Sequence, residues 1–454
     1  MTNAILDAPS VKIHFIGVGG ISMSGLAEIM HDRGHEVSGS DMKASDITRH
    51  LENIGVQIMP THTKANITPD IDVVVYTAAI SEENEELICA RQNVKTVVTR
   101  AEFLGMLMHT YDFPICVSGT HGKTTTTSML ANVLLGANFD PTITVGGIVQ
   151  SIGGNIRIGG HKYFLTEACE YHNSFLDFFP RVGVILNVEE DHMDFFKDIN
   201  EIYESFTKFA SLIPADGLLV VNEDVKIDHP NKQTFGLSES CDWYAKNITF
   251  DDEACGVFDV YFRGQLMGNL RIGVTGAHNI LNALSVCAVS HFLQINFETI
   301  QNNLVGFKGA KRRFEVRGDI HGITLVDDYA HHPTEIQATL EVANKYPHNK
   351  LFVIFQPHTY TRTKAFLEDF ATALEKGGNV IITDIYAARE KNPGDIHAKD
   401  IVDIMERNGD TDVIYIDSFD EIADHLLISA EPGDLIITMG AGNVNQIIDI
   451  LIGE

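Results

Sequence analysis

Residues 113–136 place a loop rich in glycine and threonine between an apolar run and a helix-length stretch. The apolar run is FPICVSG (113–119), the loop continues as THGKTTTT, and SMLANVLLG follows. A strand that leads through such a loop into a helix exposes backbone amides at the helix N-terminus, where they bind phosphate. This segment therefore predicts an α/β sheet with an anion site at the carboxyl ends of its strands.

The loop differs from the full phosphate-loop pattern at one position. The pattern G-x-x-x-x-G-K-[ST] would place glycine at 117, where the chain has Val117. The rest of the loop still offers backbone N–H groups, the ammonium of Lys123 and the hydroxyl of Thr124, an oxygen ligand of the kind that Mg²⁺ takes. A Ser/Thr-rich loop without a ligand is the alternative.

Apolar runs alternate with helix-length stretches along the whole chain. The 454 residues suggest about three domains at roughly 150 residues each. We predict three α/β domains at 1–108, 109–308 and 309–454, and the pattern alone gives these boundaries. The first opens with a β-α-β unit, the second adds an antiparallel hairpin at 256–274, and the third is another doubly wound sheet.

A glycine cluster follows the first predicted strand. Gly17, Gly19 and Gly20 precede a helix, which is typical of a diphosphate site. Ser22 stands where the dinucleotide pattern requires glycine, so NAD is disfavoured. Asp41, after the second strand, is placed like a carboxylate that binds a ribose hydroxyl. The cluster predicts a different nucleotide diphosphate, and a plain tight turn is the alternative.

Two acidic clusters follow strands of the second segment, TEACEYHNSF and NVEEDHMDFF. Because ligands bind at the carboxyl ends of strands in open α/β sheets, Glu167 and His192 are candidate Mg²⁺ ligands. Taken alone, each would more often be a solvated loop residue. Their occurrence in the same segment as a phosphate loop favours the metal site.

Further polar groups stand at helix starts and after strands downstream. Asn279 and Asn282 share one helix face, and their amides suit either a purine edge or a helix cap. Arginines in KRRF and PHTYTRTK suit carboxylate or phosphoryl oxygens, and Asp328 suits a ribose. For the pair His331 and His332, packing at the N-terminus of a helix near residue 333 is the alternative.

Composition excludes several classes of protein. The net charge of -29 at pH 7 disfavours general nucleic-acid binding, because most of the surface would repel a phosphate backbone. The chain has no apolar run long enough to span a membrane, and no export signal. Its six widely spaced cysteines fit a reducing compartment, so we expect a cytoplasmic protein that does not bind membranes.

Several motifs occur in one order over the whole chain: G-T-H-G-K-T-T, N-V-E-E-D-H-M-D, A-H-N-x-x-N, and R-R-F followed by D-D-Y-A-H-H-P-T-E. This order resembles the three-domain Mur ligases, and PHTYTRTK with DDYAHHPTE resembles the branch that adds L-alanine. The resemblance implies an α/β fold with a Rossmann-like N-terminal domain, a P-loop-type central ATPase domain and a Rossmann-like C-terminal domain. It also implies ATP-dependent joining of L-alanine to the lactyl carboxylate of UDP-N-acetylmuramate through an acyl phosphate, in cytoplasmic peptidoglycan synthesis.

The same resemblance implies site residues, with ATP and Mg²⁺ as cofactors. The implied ATP-binding residues are Gly119, Thr120, His121, Gly122, Lys123, Thr124, Thr125, Asn279, Arg313 and Asp328. The implied metal ligands are Thr124, Glu167 and His192. The implied catalytic residues are Lys123, His192, His331 and Arg362. The implied substrate-binding residues are Gly19, Gly20 and Asp41 for the UDP moiety, and Tyr329 and Arg362 for the amino acid.

One segment departs from the family pattern, and other functions stay open. Many members carry E-A-D-E-S-D where this chain has E-A-C-E-Y-H, so Cys169 and His172 replace two acids. The alternatives are an NAD-linked oxidoreductase, a non-catalytic nucleotide-binding switch, and the related ligase that attaches a whole tripeptide to the same UDP-sugar. The sequence does not distinguish a monomer from a homodimer.

Overall fold

The computed structural model describes residues 5–453 except Asp7, Pro9, Arg389, Asp410 and Thr411. The chain divides into two compact units. The first is formed by Met1–Val188, Ile202–Phe235 and Ser285–Ile300, and the second by Glu189–Glu201, Gly236–Leu284 and Gln301–Glu454. Within the described part of the chain, no helix combines the length and apolarity needed to cross a bilayer.

The first unit begins with a five-stranded parallel sheet in the order β3-β2-β1-β4-β5. Its strands are β1 (Lys12–Ile16), β2 (Glu36–Ser40), β3 (Gln57–Met59), β4 (Val73–Tyr76) and β5 (Thr96–Thr99). Its helices are α1 (Ile21–Asp32), α2 (Asp46–Ile54), α3 (Glu85–Asn93) and α4 (Arg100–Met108). The predicted β-α-β unit is confirmed. The strand order reverses at β1, which places the glycine cluster at the point where such sheets bind ligands.

A second sheet of the first unit has the order β12-β11-β10-β6-β9-β7-β8. Its strands are β6 (Phe113–Ser118), β7 (Thr142–Val149), β8 (Gly154–Arg157), β9 (Tyr163–Ala168), β10 (Val182–Ile185), β11 (Leu218–Asn222) and β12 (Lys232–Gly236). The helices that follow β6 and β10 are α5 (Lys123–Gly136) and α6 (Ile199–Ser211). The order places β6 inside the sheet, and five of its six residues are buried, which is why FPICVS is apolar.

The second unit contains an antiparallel meander and a six-stranded sheet. The meander strands are β13 (Trp243–Phe250), β14 (Cys255–Phe262) and β15 (Gln265–Thr275). The sheet has the order β16-β17-β21-β18-β19-β20 and consists of β16 (Glu315–Ile320), β17 (Ile323–Asp328), β18 (Leu351–Phe355), β19 (Asn379–Ile382), β20 (Asp412–Tyr415) and β21 (Leu435–Met439). Strand β16 pairs antiparallel with β17, and the other pairs are parallel.

Eight further α-helices lie in the part of the chain that the structure describes. They are α7 (His278–Phe292), α8 (Phe297–Val305), α9 (Pro333–Ala343), α10 (Tyr360–Ala365), α11 (Leu367–Leu374), α12 (Lys399–Asn408), α13 (Phe419–Ser429) and α14 (Gln446–Ile452). Helices α9, α11 and α12 contribute to one apolar core cluster with the six-stranded sheet, and α13 and α14 contribute to another. The doubly wound third segment and the hairpin of β14 and β15 are therefore confirmed.

Candidate active site

The phosphate loop joins the carboxyl end of β6 to α5 through two glycines in left-handed conformations. Gly119 has φ +138° and Gly122 has φ +85°. A Cβ atom at Gly119 would lie 2.9 Å from the Cβ of Leu186, so close packing also favours glycine there. Gly122 caps α5 without a side-chain hydrogen bond. The first-turn amides of α5 are therefore available to an anion, as the sequence predicts.

Asn187 fixes the shape of this loop. Its side-chain oxygen accepts from the His121 N–H at 2.8 Å, its amide donates to the His121 carbonyl at 3.1 Å, and its carbonyl accepts from the Thr120 N–H at 3.2 Å. Sequence reasoning missed Asn187, because its only signal is a position just after the strand β10. The three hydrogen bonds hold the loop in place before a nucleotide binds.

Lys123 lies in the curve of the loop, paired with a buried carboxylate. Its ammonium donates to the carbonyls of Gly119 and Thr120 and to Glu170, whose Oε2 is 3.2 Å away. Burial by itself would lower the pKa of Lys123, but the charge and hydrogen bond of Glu170, together with nearby Cys169 and Glu167, place the pKa above its ordinary value. Sequence reasoning missed Glu170, although its place in the acidic run after β9 was a signal.

Glu167 and Thr124 are the two predicted metal ligands of the first unit. Glu167 is in β9 opposite Val117 of β6, one residue before that strand ends, and its Oε1 accepts from the Gly146 N–H at 2.6 Å. Thr124 is in the first turn of α5. A carboxylate and a hydroxyl from the same edge of one sheet are hard oxygen donors, and this donor chemistry fits Mg²⁺.

The glycine cluster after β1 is tied to the end of β2. The N–H groups of Gly17 and Val18 donate to the Ser40 carbonyl at 2.8 and 3.0 Å, and the Gly19 N–H donates to Asp41 Oδ2 at 2.9 Å. Gly20 caps α1. The structure thus brings Gly19, Gly20 and Asp41 together. Asp41 stabilises the glycine loop through its hydrogen bond with Gly19. A contact between Asp41 and a ribose stays a prediction.

In the second unit, Arg362 pairs with Asp191. Its Nη2 and Nε donate to Asp191 Oδ1 at 2.8 and 3.2 Å, and its Nη1 donates to the His358 carbonyl at 3.1 Å. Although burial raises the pKa of Asp191, the charge and hydrogen bond of Arg362, together with the nearby His192 and His331, hold it below its ordinary range. His192 has φ +55° and donates its N–H to Asp191 at 2.7 Å. Sequence reasoning missed Asp191, although it directly precedes the predicted residue His192.

Burial keeps His331 neutral. Its Nδ1 lies 2.9 Å from the Tyr329 carbonyl, which only accepts, so this nitrogen carries the proton. Burial lowers the pKa of His331 to about 4 and that of His358, whose ring centroid is 5.8 Å away, also to about 4. The Nε2 of neutral His331 therefore has a lone pair for a proton or an N–H group.

Asp328 holds the backbone around it. Its two oxygens accept from the N–H groups of Phe314 and Ala330, each at 2.7 Å, and burial raises its pKa to about 6. The guanidinium of Arg313 lies 5.2 Å from the centre of the Tyr329 ring. Asp328, Tyr329 and Arg313 are thus brought together, and their contacts with a nucleotide or an amino acid stay predictions.

Three polar residues singled out in the sequence lie at the starts of helices. The Asn279 amide donates to the Thr275 carbonyl at 2.6 Å, and the Asn282 amide donates to Asn279 Oδ1 at 2.8 Å. The His332 ring accepts from the Thr334 N–H at 3.3 Å and caps α9. His332 therefore lies at the N-terminus of the helix near residue 333, as the alternative for that pair expected, and a purine contact at Asn279 stays a prediction.

The predicted site residues fall in both units. The first unit holds those of the glycine cluster, the phosphate loop and Glu167. The second unit holds His192, Asn279, Arg313, Asp328, Tyr329, His331 and Arg362.

Family models match three consecutive parts of the chain. The Mur ligase family catalytic domain matches residues 12–112, the Mur ligase middle domain matches 117–290, and the Mur ligase glutamate ligase domain matches 312–442. The matches follow the order of the three predicted α/β segments.

Individual relatives match over nearly their whole length. The UDP-N-acetylmuramate–L-alanine ligases of Agathobacter rectalis and Caldanaerobacter subterraneus are 50% and 48% identical, and each alignment covers 96% of both chains. A crystal structure of UDP-N-acetylmuramate-alanine ligase from Thermotoga maritima superposes with a TM-score of 0.81 at 28% identity, covering 97% of this chain and 98% of that one.

Proposed function

Because the chain belongs to the Mur ligase family, we propose that it joins L-alanine to the lactyl carboxylate of UDP-N-acetylmuramate in an ATP-dependent, ADP-forming ligation. One observation carries this proposal. Lys123 lies in a preformed phosphate loop, and the chain that contains this loop aligns almost end to end with UDP-N-acetylmuramate–L-alanine ligases. The product is a peptidoglycan precursor, and six free thiols favour the cytoplasm as the compartment.

In the first step, the carboxylate must be activated because it is a poor acyl donor. A lactyl carboxylate oxygen attacks the γ-phosphorus in line, the bond to the β-phosphate oxygen breaks, and an acyl phosphate and ADP form. Lys123 donates to the phosphoryl oxygens as their charge spreads, and the first-turn amides of α5 bind phosphate. Thr124 and Glu167 would hold a Mg²⁺, with His192 at a second ion. Bound Mg²⁺ neutralises phosphate charge.

In the second step, the alanine amine attacks the acyl carbon and phosphate leaves from a tetrahedral intermediate. The amine must lose a proton, and neutral His331 offers Nε2 as the acceptor. We assign Arg362 to the alanine carboxylate and Tyr329 to the amino acid. Arg362 is held in orientation by Asp191, whose carboxylate fixes two of its three nitrogens.

Each of the three predicted segments of the chain has its own role in this proposal. Residues 1–108 bind the UDP-sugar through Gly19, Gly20 and Asp41. Residues 109–308 bind ATP through the phosphate loop and Asn279. Residues 309–454 supply the groups for the amino acid, and Arg313 and Asp328 for the nucleotide.

Release of inorganic phosphate tests the proposal. Wild type should release phosphate, and form the ligated product, only when ATP, Mg²⁺, UDP-N-acetylmuramate and L-alanine are all present. A rate of phosphate release that is the same with and without UDP-N-acetylmuramate and L-alanine would favour a nucleotide-binding switch. Binding of a nicotinamide cofactor without phosphate release would favour an oxidoreductase.

A further inference from the structure

A cleft of about 270 Å³ opens in the first unit between the start of α1 and the end of β9. Ile21 and Ser22 from the first turn of α1 line one side, and Glu167 and Cys169 line the other. Cys169 immediately precedes Glu170, whose Oε2 lies 3.2 Å from the Lys123 ammonium in the phosphate loop. The cleft therefore leads from the glycine cluster toward the phosphate loop.

Arg100 lines the same cleft. It is the first residue of α4, and its Nη1 donates to Ser22 Oγ at 3.1 Å. Within the part of the chain that the structure describes, Arg100 forms no ion pair. Arg271 provides the contrast, because its Nη2 is 2.6 Å from Asp251 and 2.9 Å from Glu253.

The surroundings of the two arginines act on their pKa values in opposite directions. Hydrogen bonds and charges from Asp251 and Glu253 raise the pKa of Arg271. Burial lowers the pKa of Arg100, because its guanidinium is desolvated without a counter-charge. A guanidinium stays protonated in both settings. Arg100 is half-buried, and a partly desolvated charge without a counter-charge costs free energy that a bound anion would recover.

The cleft also presents the start of a twelve-residue helix. Gly20 caps α1 without a side-chain hydrogen bond, so no side chain satisfies the first-turn amides, and the first two helix residues, Ile21 and Ser22, line the cleft. The facing carboxylate of Glu167 accepts from the Gly146 N–H and is not paired with Arg100. The cleft is thus lined by a cationic group, Arg100 beside Ser22 of α1, and by an acidic group, Glu167.

We propose that Arg100 is a substrate-binding residue whose guanidinium binds an anionic oxygen group of the nucleotide sugar, either its diphosphate or its lactyl carboxylate. This inference rests on the proposed function, since it takes the nucleotide sugar as the occupant of the cleft. The fork of the guanidinium matches both groups in a two-point hydrogen bond. Binding there holds the sugar between the glycine cluster and the phosphate loop.

Three ligands distinguish the two candidate anionic groups of the nucleotide sugar, the diphosphate and the lactyl carboxylate. Calorimetric titrations of wild type, Arg100→Ala and Arg100→Lys would use UDP, UDP-N-acetylglucosamine and UDP-N-acetylmuramate, and the lactyl carboxylate is present only in the last. We expect Arg100→Ala to weaken binding about 10- to 100-fold, the usual effect of losing a charge-assisted hydrogen bond. Weakening for all three ligands assigns the diphosphate, and weakening for UDP-N-acetylmuramate alone assigns the carboxylate.

Two controls make the result specific. Arg91→Ala removes an equal charge from the same domain at an exposed ion pair with Glu82, and it should bind all three ligands like wild type. Arg100→Lys keeps the charge without the fork, so its affinity should lie between those of wild type and Arg100→Ala, and it serves if the alanine variant fails to fold.

The outcomes separate the two proposals. Wild-type affinity for UDP-N-acetylmuramate in both Arg100 variants, in an enzyme that ligates alanine, would overturn the role of Arg100 and leave the ligase activity intact. A wild-type enzyme that neither binds the sugar nor ligates would instead overturn the proposed function. In steady state, the Arg100 variants should raise KM for the sugar and leave KM for ATP unchanged.

Discussion

At the residue scale, the chemistry of this protein depends on charges that are paired inside the protein. Glu170 holds Lys123 in the phosphate loop at 3.2 Å, and the Lys123 and Glu170 side chains are only 15% and 2% exposed. Asp191 does the same for Arg362. Each pair keeps a cation buried, oriented and charged before an anionic substrate arrives, which lowers the reorganisation needed during the reaction.

Lys123→Met should lower kcat by about 100-fold or more, because it removes a charge aimed at the transferring phosphoryl group. Binding of UDP-N-acetylmuramate, measured by calorimetry, should remain at wild-type affinity. Lys162→Met, at an exposed side chain of the same unit, is the control and should keep full activity. A kcat for Lys123→Met within tenfold of wild type would remove Lys123 from the phosphate site.

Glu167→Ala should raise the Mg²⁺ concentration that gives half the maximal rate, because it removes a proposed oxygen ligand. His192→Ala should act in the same direction. The measurement is a Mg²⁺ titration of the initial rate at saturating substrates. Glu85→Ala, an exposed carboxylate of α3, is the control. Mg²⁺ curves in both variants that overlay wild type would show that neither residue supports a metal ion.

The free energy of unfolding should depend on pH through His331. Its folded pKa of about 4 lies below the usual value of about 6.5. The unfolded chain therefore binds the extra proton between these values, and stability falls as pH decreases from 6.5 towards 4. The wild type should lose more stability than His331→Gln, by at most about 1.4 kcal/mol per pH unit.

Urea unfolding at about pH 7 and about pH 5 measures this difference. Comparing two variants matters because other groups titrate in the same range. His358 acts in the same direction as His331, whereas Asp328, with its raised pKa of about 6, acts in the opposite direction. Equal losses of stability in wild type and His331→Gln would contradict the buried, neutral imidazole.

At the element scale, local patterns predicted which strands and helices form, and long-range contacts decided how the site is built. The sequence predicted β6, the phosphate loop and α5, because a buried apolar run, left-handed glycines and an open helix start are local properties. It missed the hydrogen bond between His121 and Asn187, 66 positions apart, and the pair of Asp191 and Arg362, 171 positions apart. Such partners depend on strand order, which periodicity does not encode.

Gly119→Ala should destabilise the protein and loosen the phosphate loop, because the new Cβ would combine a left-handed φ with a 2.9 Å approach to Leu186. Gly34→Ala is the matched control, since it has φ +85° with nothing within 4 Å of its added Cβ. We expect a cost above about 1 kcal/mol for the strained φ, with an additional cost at Gly119. Thermal unfolding and the KM for ATP measure the two effects. Equal effects would show that the Leu186 contact is easily relieved.

At the scale of the whole molecule, a chain of net charge -29 must bind substrates that are themselves anionic. The average field of the protein therefore opposes binding, and attraction has to come from short-range features. Lys123, Arg100 and the first turns of α1 and α5 are such features in the first unit. Because buried cations are screened less than exposed ones, we attribute substrate affinity to these local groups.

The amino-acid specificity of the whole enzyme is the last prediction. L-alanine should be a far better substrate than the tripeptide L-alanyl-γ-D-glutamyl-diaminopimelate. A free amino acid carries a carboxylate beside the attacking amine, and Arg362, oriented by Asp191, is the group that we assign to it. The tripeptide has an amide there, and losing the charge-assisted hydrogen bond between Arg362 and the substrate carboxylate would cost about 1.5–3 kcal/mol, or roughly tenfold to more than a hundredfold in kcat/KM. Glycine and L-serine keep the carboxylate and should be poorer but detectable substrates.

Competition assays with L-alanine and the tripeptide would measure the ratio of their kcat/KM values. Equal kcat/KM values would assign the chain to tripeptide recycling and leave its ATP-dependent ligase chemistry unchanged.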